Sequence, residues 1–310
     1  MQKIVQRQLL SDTREGLDTR AVVVVCGDTV IAEAYGNGIG AETRLLGWSM
    51  TKSLLAMLWG RMETLGLAEP HESALFSEWS QDKRSEITLE NLLQMCDGLD
   101  FDESYRPGAD VTRMLFGQMP ASRYALERPL KRTPGDHFSY SSGSTNLLAR
   151  WIHTRLGGTE AALKFLQREF LQPLELHSLL LETDRDGVFV GSSYGYATAR
   201  DWARLGSVLL NNGRHRGQAV IDRGWVKRAT APNHSHNDPR YGYQLWLNTD
   251  GGMSQRYPAL PSDSYFMLGN REQKLIVSPS HNAVIVRLGW SSSPYPADAR
   301  FGEILDGMPK

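Results

Sequence analysis

A serine and a lysine stand three residues apart in the segment Ser49-Met50-Thr51-Lys52, immediately before an apolar run. The run has the i, i+3/i+4 spacing of a buried helix face, which predicts that the pair opens a helix. Its members are Leu54, Leu55, Leu58, Trp59, Met62 and Leu65. Residues three apart on a helix lie on the same side, so the lysine amine reaches the serine hydroxyl. A desolvated lysine has a lowered pKa and can activate a serine nucleophile.

The same segment has a second interpretation, an N-cap serine followed by a solvated lysine. Ser-x-x-Lys occurs by chance about once per few hundred residues at average composition. The spacing alone therefore leaves both interpretations open.

A tyrosine follows in the segment Phe138-Ser139-Tyr140-Ser141-Ser142, which comes after the turn Thr133-Pro134-Gly135-Asp136 and precedes a predicted helix. The segment is expected to be a loop. A phenol there can lower the pKa of the lysine, share its proton or relay the proton to a leaving group. A tyrosine that only anchors the loop is the alternative interpretation.

A third segment, Leu268-Gly269-Asn270-Arg271-Glu272-Gln273, lies between two predicted strands. A glycine at the end of a strand lets a substrate approach the backbone closely, and the amide of Asn270 is then a candidate oxyanion donor. Ordinary turn chemistry explains the same residues equally well.

The composition excludes several classes of protein. The chain has 310 residues, 41% of them hydrophobic, and a net charge of −1. That length suits one large domain or two intertwined domains, and the charge balance predicts neither a nucleic-acid nor an anionic-membrane partner. The two cysteines, Cys26 and Cys96, provide no disulfide framework. We expect no cofactor and no metal, because there is no glycine-rich phosphate loop and because His234-Ser235-His236 lacks a third ligand.

No apolar stretch of 18 residues occurs, and no basic segment followed by an apolar one opens the chain. The sequence therefore predicts no membrane span and favours a cytoplasmic location, although a leader removed from the natural chain stays an open alternative. The sequence leaves the oligomeric state undetermined.

Strand patterns lie at both ends of the chain and helical patterns in the middle. Strands are predicted at Arg20–Cys26, Thr29–Tyr35, Tyr241–Leu247, Tyr265–Leu268, Lys274–Ser278 and Ala283–Leu288. Helices are predicted at Gln2–Glu15, from about Ser49, after Thr88, and at Asn146–Leu156, Glu160–Phe170, Ala199–Asn211 and Ala297–Met308. The expected fold is α+β, an α/β sandwich. Residues 1–48 and 241–310 form an antiparallel sheet flanked by terminal helices, and residues 49–240 form a mostly helical inserted domain.

These motifs, in this order, resemble the β-lactamase-related serine hydrolases. That group includes class C β-lactamases, penicillin-binding proteins, family VIII esterases and 6-aminohexanoate-dimer hydrolases. The resemblance extends over nearly the whole chain. Besides Ser49–Lys52 and the final strand pair, it rests on three segments: Leu92-Leu93-Gln94-Met95-Cys96-Asp97-Gly98-Leu99-Asp100, Phe138-Ser139-Tyr140-Ser141-Ser142, and Gly191-Ser192-Ser193-Tyr194-Gly195-Tyr196-Ala197-Thr198-Ala199-Arg200-Asp201-Trp202-Ala203.

The resemblance implies that Ser49 is the nucleophile, Lys52 its base and Tyr140 a second proton-transfer residue. It also assigns Ser142, Gly269 and Asn270 to the oxyanion and substrate-binding region. Ser142 stands where class C enzymes usually have asparagine, which is similar to the dimer-hydrolase branch. These assignments imply two-step acyl transfer, with the amides of Ser49 and Asn270 holding the oxyanion.

The third motif departs from that of β-lactamases, because Met267-Leu268-Gly269 replaces Lys-Thr-Gly. No lysine or threonine is expected there to bind a β-lactam carboxylate, unless Arg271 turns inward. The sequence therefore favours a small ester or amide substrate, with β-lactamase or D-amino peptidase activity as one alternative and a catalytically silent, penicillin-binding-like peptide-binding protein as another. Four aromatic residues are candidates for an apolar pocket or for ordinary packing. They are Trp48, Tyr105, Phe116 and Tyr194.

Overall fold

The computed structural model describes residues 1–249, 252 and 254–308. Its strands are β1 Thr19–Cys26, β2 Thr29–Tyr35, β3 Leu45–Leu46, β4 Leu180–Leu181, β5 Gly195–Ala197, β6 Arg214–His215, β7 Gln218–Ala219, β8 Trp246–Leu247, β9 Tyr265–Gly269, β10 Gln273–Ser278 and β11 Ala283–Gly289. Its α-helices are α1 Gln2–Arg14, α2 Met50–Thr64, α3 Leu89–Leu93, α4 Asp110–Phe116, α5 Ala121–Leu126, α6 Ser142–Leu156, α7 Thr159–Phe165, α8 Ala199–Leu210, α9 Arg223–Ala229 and α10 Ala297–Asp306.

The main sheet of the described chain joins the two ends of the sequence. Its strand order is β2-β1-β11-β10-β9-β8, and every neighbouring pair is antiparallel. Val23 of β1, for example, lies opposite Glu33 of β2 on one side and Val286 of β11 on the other. The predicted α+β class is confirmed, with helices against the sheet and a long, mostly helical segment inserted between its strands.

The strands of this sheet bury both faces because alternate side chains point to opposite sides. Ala21, Val23 and Val25 belong to the larger core, which extends into the helical part of the chain. Val22 and Val24 belong to a smaller core closed by α1 and α10. The β-branched residues of β1 therefore hold together two layers of helices, one of which contains α2.

Helix α2 runs through the larger core. Every residue from Met50 to Gly60 is buried. Gly60 permits this packing, because a side chain there would overlap the ring of Trp225. The prediction that Leu65 belongs to the buried face is wrong: Leu65 caps the end of the helix and is 41% exposed.

The turn and helix-end residues of the sequence have the expected conformations in the structure. Gly27 turns the β1–β2 hairpin with a φ of +58°. Thr88 begins α3 in a reciprocal capping box with Asn91. Gly157 ends α6 in the left-handed conformation that glycine adopts without strain.

The strand predicted at Tyr241–Leu247 is largely wrong, since only Trp246–Leu247 pairs as a strand. Gln244 interrupts the extended backbone with a φ of +55°. Its side-chain amide donates hydrogen bonds to the carbonyls of Leu92 and Leu93, at 2.9 and 3.1 Å. Of the aromatic residues before it, Tyr241 is buried against Met95, Cys96 and Phe138, and Tyr243 belongs to the larger core.

The proposed division into residues 1–48 with 241–310 and residues 49–240 stays a prediction. Across the described ranges, none of the helices has both the length and the apolar character that a bilayer crossing requires.

Candidate active site

Ser49 lies at the start of α2, on a loop fixed from two sides. The amide of Gly47 donates a 2.8 Å hydrogen bond to the carbonyl of Gly195. Trp48 has a φ of +48°, a left-handed conformation uncommon for a bulky residue. Ser49 itself has helical φ and ψ, and its side chain makes no hydrogen bond to the helix amides. Its hydroxyl is thus available for other contacts.

Lys52 points its amine at that hydroxyl. Nζ donates hydrogen bonds to Ser49 Oγ at 2.9 Å, to Ser142 Oγ at 3.0 Å and to the carbonyl of Ser192 at 2.9 Å. The side chain is 1% exposed. Burial lowers the pKa of Lys52 to about 8, against the opposing attraction of Glu103. The interpretation of an N-cap serine beside a solvated lysine is therefore wrong.

The neighbours of Lys52 determine where its lone pair points when the amine is neutral. Ser142 donates its own hydroxyl hydrogen to Glu103, and Ser192 presents a carbonyl, which only accepts. Both must therefore receive hydrogens from Nζ. A neutral amine has two hydrogens, so the remaining direction, toward Ser49, holds the lone pair. In that state the serine hydroxyl donates to the amine, which is the arrangement needed to remove its proton.

Glu103 is the residue that completes this network, and the sequence did not single it out. Its Oε1 accepts from Ser142 Oγ at 2.6 Å and its Oε2 from the Ser142 amide at 2.8 Å. Burial raises the pKa of Glu103, while the charge of Lys52 and the two Ser142 donors lower it. Because both oxygens accept hydrogen bonds from Ser142, the geometry is that of a carboxylate. A chain of polar contacts thus runs from Glu103 through Ser142 and Lys52 to Ser49.

Tyr140 lies beside the pair with its ring held between aromatic neighbours. Its ring stacks on Trp246 with centroids 5.1 Å apart, and Lys52 Nζ lies 5.1 Å from the centroid of the Tyr140 ring. Burial raises the pKa of Tyr140, although hydrogen bonding to Ser49 opposes the effect. The phenol therefore stays protonated near neutral pH and can donate a hydrogen bond, but it is a poor base.

A cavity of about 430 Å³ opens over Ser49. That size falls within the range of small-molecule sites. Polar and charged groups contribute much of its wall. It is lined by Ser49, Glu103, Tyr105, Tyr140, Trp246, Arg256, Tyr257, Leu268, Gly269, Asn270, Glu272 and Lys274.

Of the predicted pocket residues, Tyr105 lines this cavity. Burial raises the pKa of Tyr105, and hydrogen bonding with Ser142 and Ser49 opposes that effect only in part. Gly269 and Asn270 also line it. Packing also requires a glycine at position 269, because a side chain there would overlap the carbonyl oxygen of Gly47. The edge of β9 therefore approaches the loop before Ser49 closely.

The other predicted contacts lie outside the cavity wall. Ser142 is fully buried, and its hydroxyl is occupied by Lys52 and Glu103, so the prediction that it contacts substrate is wrong. Phe116 is 63% exposed on the surface. Tyr194 donates its hydroxyl to the carbonyl of Leu115 at 3.0 Å.

Trp48 and Arg271 are not among the residues that line the cavity, and both side chains pack against Trp290. The rings of Trp48 and Trp290 have centroids 6.0 Å apart. The Arg271 guanidinium lies 5.5 Å from the Trp290 ring centroid, and the residue is exposed. The side chain of Arg271 therefore does not replace the lysine missing from the third motif.

Two cations in the wall were missed together with Glu103. Lys274 lies on β10 opposite Leu268 and makes a 3.0 Å ion pair with Glu272. Arg256 lies 4.2 Å over the ring of Trp246. Lys274 is a charged residue in a strand with an apolar centre, and this could have identified it from the sequence as a candidate site residue. Arg256 comes from a loop and had none.

Comparisons with known proteins concern the family and the fold of the chain. The Beta-lactamase family model matches residues 7–304. The 6-aminohexanoate-dimer hydrolase of Paenarthrobacter ureafaciens is 27% identical over 94% of this chain and 76% of its own length. A Bacillus anthracis protein provisionally named a 6-aminohexanoate-dimer hydrolase superposes with a TM-score of 0.79 at 20% identity, over 97% of this chain and 83% of that one. EstCE1, a hydrolase with promiscuous acyltransferase activity, superposes with a TM-score of 0.77 at 15% identity, over 97% of both chains.

The fold is of the β-lactamase and transpeptidase type. The chain belongs to the Beta-lactamase family, as the near-complete match of the family model shows. The resemblance noted from the sequence is thereby confirmed. The solved structures, all at low identity, support the fold, and the curated relative adds a named hydrolase within the same family.

Proposed function

We propose that this protein hydrolyses a small ester or amide through an acyl-enzyme intermediate on Ser49. The observation that carries the proposal is the contact between Ser49 Oγ and the buried amine of Lys52, at 2.9 Å, with the other two directions around Nζ occupied by Ser142 and Ser192. With a pKa of about 8, roughly a tenth of Lys52 is neutral at pH 7. That fraction suffices for a general base at neutral pH.

In the first step Ser49 Oγ attacks the substrate carbonyl and its proton passes to Lys52. The negative charge that develops on the carbonyl oxygen is held by the amides of Ser49 and Asn270, each such donor being worth about 2.7–4 kcal/mol. The leaving group departs with a proton supplied from Lys52 through the phenol of Tyr140. Water then attacks the acyl carbonyl and gives up a proton to the amine of Lys52. The amine returns that proton to Ser49 Oγ as the acyl bond breaks, which releases the acid and regenerates Ser49.

Lys52 is a better base in this scheme than Tyr140. Burial lowers the pKa of the lysine toward neutrality and raises that of the tyrosine away from it. A phenol that stays protonated serves as the donor to the leaving group, and an amine that is partly neutral serves as the acceptor. The two residues therefore have separate roles rather than interchangeable ones.

The substrate class is the less direct part of the proposal. The Paenarthrobacter relative is named for the hydrolysis of 6-aminohexanoate dimer, and EstCE1 for hydrolysis and acyl transfer. Both names fit a cavity that accepts a linear ester or amide. A β-lactam is the second candidate, because Lys274 brings an ammonium group to the cavity beside Leu268. Its ion pair with Glu272 weakens that case.

Intact-protein mass spectrometry with a fluorophosphonate tests the proposal. The wild type should gain one phosphonyl adduct on Ser49, and Ser49→Ala should gain none and lose p-nitrophenyl butyrate turnover by at least about 10³-fold. Ser139→Ala is the matched control, since Ser139 is exposed next to Tyr140 and contacts none of the proposed groups through its side chain. Ester turnover by Ser49→Ala at the wild-type rate would disprove the assignment. A catalytically silent binding protein would give no Ser49-dependent turnover of ester, amide or nitrocefin.

A further inference from the structure

The charges around the cavity are balanced with one exception. Glu103 receives two hydrogen bonds from Ser142 and faces Lys52. Lys274 and Glu272 neutralise each other at 3.0 Å. The remaining charged side chain of the wall belongs to Arg256.

Arg256 has no oxygen partner for its guanidinium in the part of the chain that the structure describes. No carboxylate of those residues lies within 4.0 Å of it, and its Nε is buried without a hydrogen bond. Burial and the charge of Arg240 lower the pKa of Arg256 from its usual value. Arg256 is half-buried and faces the cavity. A partly desolvated guanidinium without a carboxylate partner stabilises an anion that enters beside it.

A structural role alone does not account for this arrangement. Arg287, which is more deeply buried, donates hydrogen bonds to the hydroxyl of Thr19 and to the carbonyls of Leu17 and Glu272. Arg287 is therefore satisfied by the surrounding fold. Arg256 instead lies with its face over Trp246, and none of the described residues accepts a hydrogen bond from its guanidinium.

The stack of rings connects Arg256 to the reacting groups. Its guanidinium lies 4.2 Å from the ring centroid of Trp246, and Trp246 stacks on Tyr140 at 5.1 Å. Arg256, Tyr140 and Ser49 line the same cavity. One small molecule in this cavity can therefore reach both the guanidinium and Ser49.

We propose that Arg256 binds a carboxylate of the substrate, so that the preferred substrates are esters or amides that carry a free carboxylate group. This inference rests on the proposed hydrolysis at Ser49. The planar guanidinium pairs with a carboxylate through two parallel hydrogen bonds, and stacking on Trp246 holds its plane in advance of binding. Lys274 is a poorer partner for the substrate carboxylate, because its ion pair with Glu272 already neutralises its charge.

Two matched pairs of esters test the inference on the full-length protein. In the first pair the carboxylate is on the leaving group, as in 4-butyryloxybenzoate and its neutral methyl ester. In the second it is on the acyl group, as in mono-4-nitrophenyl suberate and its methyl ester. Arg256→Gln should lower kcat/KM for the anionic member of at least one pair by about 10-fold or more, with less than about threefold change for the neutral member. Arg271→Gln is the matched control, because that guanidinium stacks on Trp290 outside the cavity.

A second measurement removes turnover altogether. Titration calorimetry of the same anionic esters with Ser49→Ala should give a Kd at least about 10-fold lower than with Ser49→Ala/Arg256→Gln. If hydrolysis by the wild type fails but this difference is found, the proposed function is wrong and the carboxylate site stands.

Three results would overturn the carboxylate site. One is an equal loss for the neutral and anionic members, which would mean that Arg256 only supports the rings of Trp246 and Tyr140. Another is the absence of a selective loss in both pairs. The third is binding of the anionic esters that is undetectable or independent of Arg256.

Discussion

Replacing Glu103 by glutamine should shift the pH dependence of ester hydrolysis toward acid. Glu103 and Lys52 are both buried and share the hydroxyl of Ser142, through contacts of 2.6 and 3.0 Å. Two unit charges about 5–6 Å apart, at an effective dielectric constant of about 20, attract each other by about 3 kcal/mol. Loss of that attraction removes a force that keeps Lys52 protonated. Glutamine preserves the shape and one of the two acceptor oxygens that Ser142 uses, so the variant loses the charge and one hydrogen bond.

The sign follows from the direction in which Glu103 acts on Lys52. The carboxylate raises the pKa of Lys52 against the larger effect of burial, which leaves it at about 8. Without the carboxylate the amine becomes neutral at lower pH. Loss of an interaction of about 3 kcal/mol shifts the acid limb of the kcat/KM profile to lower pH by about two units. Relaxation of the site reduces the expected shift to between about one and two units.

The assay is kcat/KM for p-nitrophenyl butyrate between pH 5.5 and 9.5. The useful quantity is the ratio of the value at pH 6.5 to the value at pH 9, because a general loss of activity cancels in it. That ratio should rise by about 10-fold in Glu103→Gln. Glu272→Gln removes a carboxylate from the same cavity that pairs with Lys274 instead, and its acid limb should stay where the wild type has it. An unmoved limb in Glu103→Gln, or a limb moved to higher pH, would refute the assignment of Lys52 as the titrating base.

Further predictions concern Lys52 and Gly269. Lys52→Arg keeps a cation that cannot lose its proton near neutral pH, so kcat/KM for the ester should fall by about 10²-fold or more; retention of half the activity would exclude lysine as the base. Lys52→Met tests the cost of burying the amine. The pKa of Lys52 is about 8 in the folded state, below its value in the unfolded state. The charged amine therefore destabilises the folded wild type below pH 8, and this effect disappears above about pH 10.5. We expect the unfolding free energy of Lys52→Met minus that of the wild type, measured with urea, to fall by about 3 kcal/mol between pH 7.5 and 10.5. A difference that does not change with pH would contradict the lowered pKa. In Gly269→Ala the new methyl group should overlap the carbonyl oxygen of Gly47 and displace the loop before Ser49. We expect a lower kcat for the ester and a loss of unfolding free energy of about 1–3 kcal/mol, measured by ester kinetics and calorimetry. A fully active, fully stable variant would show that β9 does not hold this loop.

The sequence predicted the local part of the site well and the long-range part poorly. Ser49 and Lys52 are three residues apart on one helix, so their contact follows from helix geometry alone. Tyr140 was a candidate as a phenol in a loop before a helix, and the family resemblance gave it a role. The partner of Ser142, Glu103, is 39 residues distant on a loop, and no periodicity connects the two.

The fold was predictable for similar reasons. Runs such as Thr19–Cys26 are rich in β-branched residues and form strands wherever a core accepts them. The segment before Trp246 has an alternating pattern too, yet Gln244 turns its backbone because its amide bonds to α3. The outward position of Arg271 likewise depends on Trp290, a residue from a different part of the chain. Such contacts depend on the completed tertiary structure and leave no signature in the local sequence.

The pairing of β1 with β11 has a consequence for how the chain acquires its structure. Thr19 lies opposite Gly289, so the centre of the sheet joins residues separated by most of the sequence. During synthesis β1 and β2 form a hairpin whose inner edge has no neighbour until β11 has been made. An apolar strand with an open edge is prone to pair with other chains, and closure of so long a loop is slow. We expect refolding to be slow and dependent on protein concentration, with the nucleophile loop ordered only after the last strand has docked.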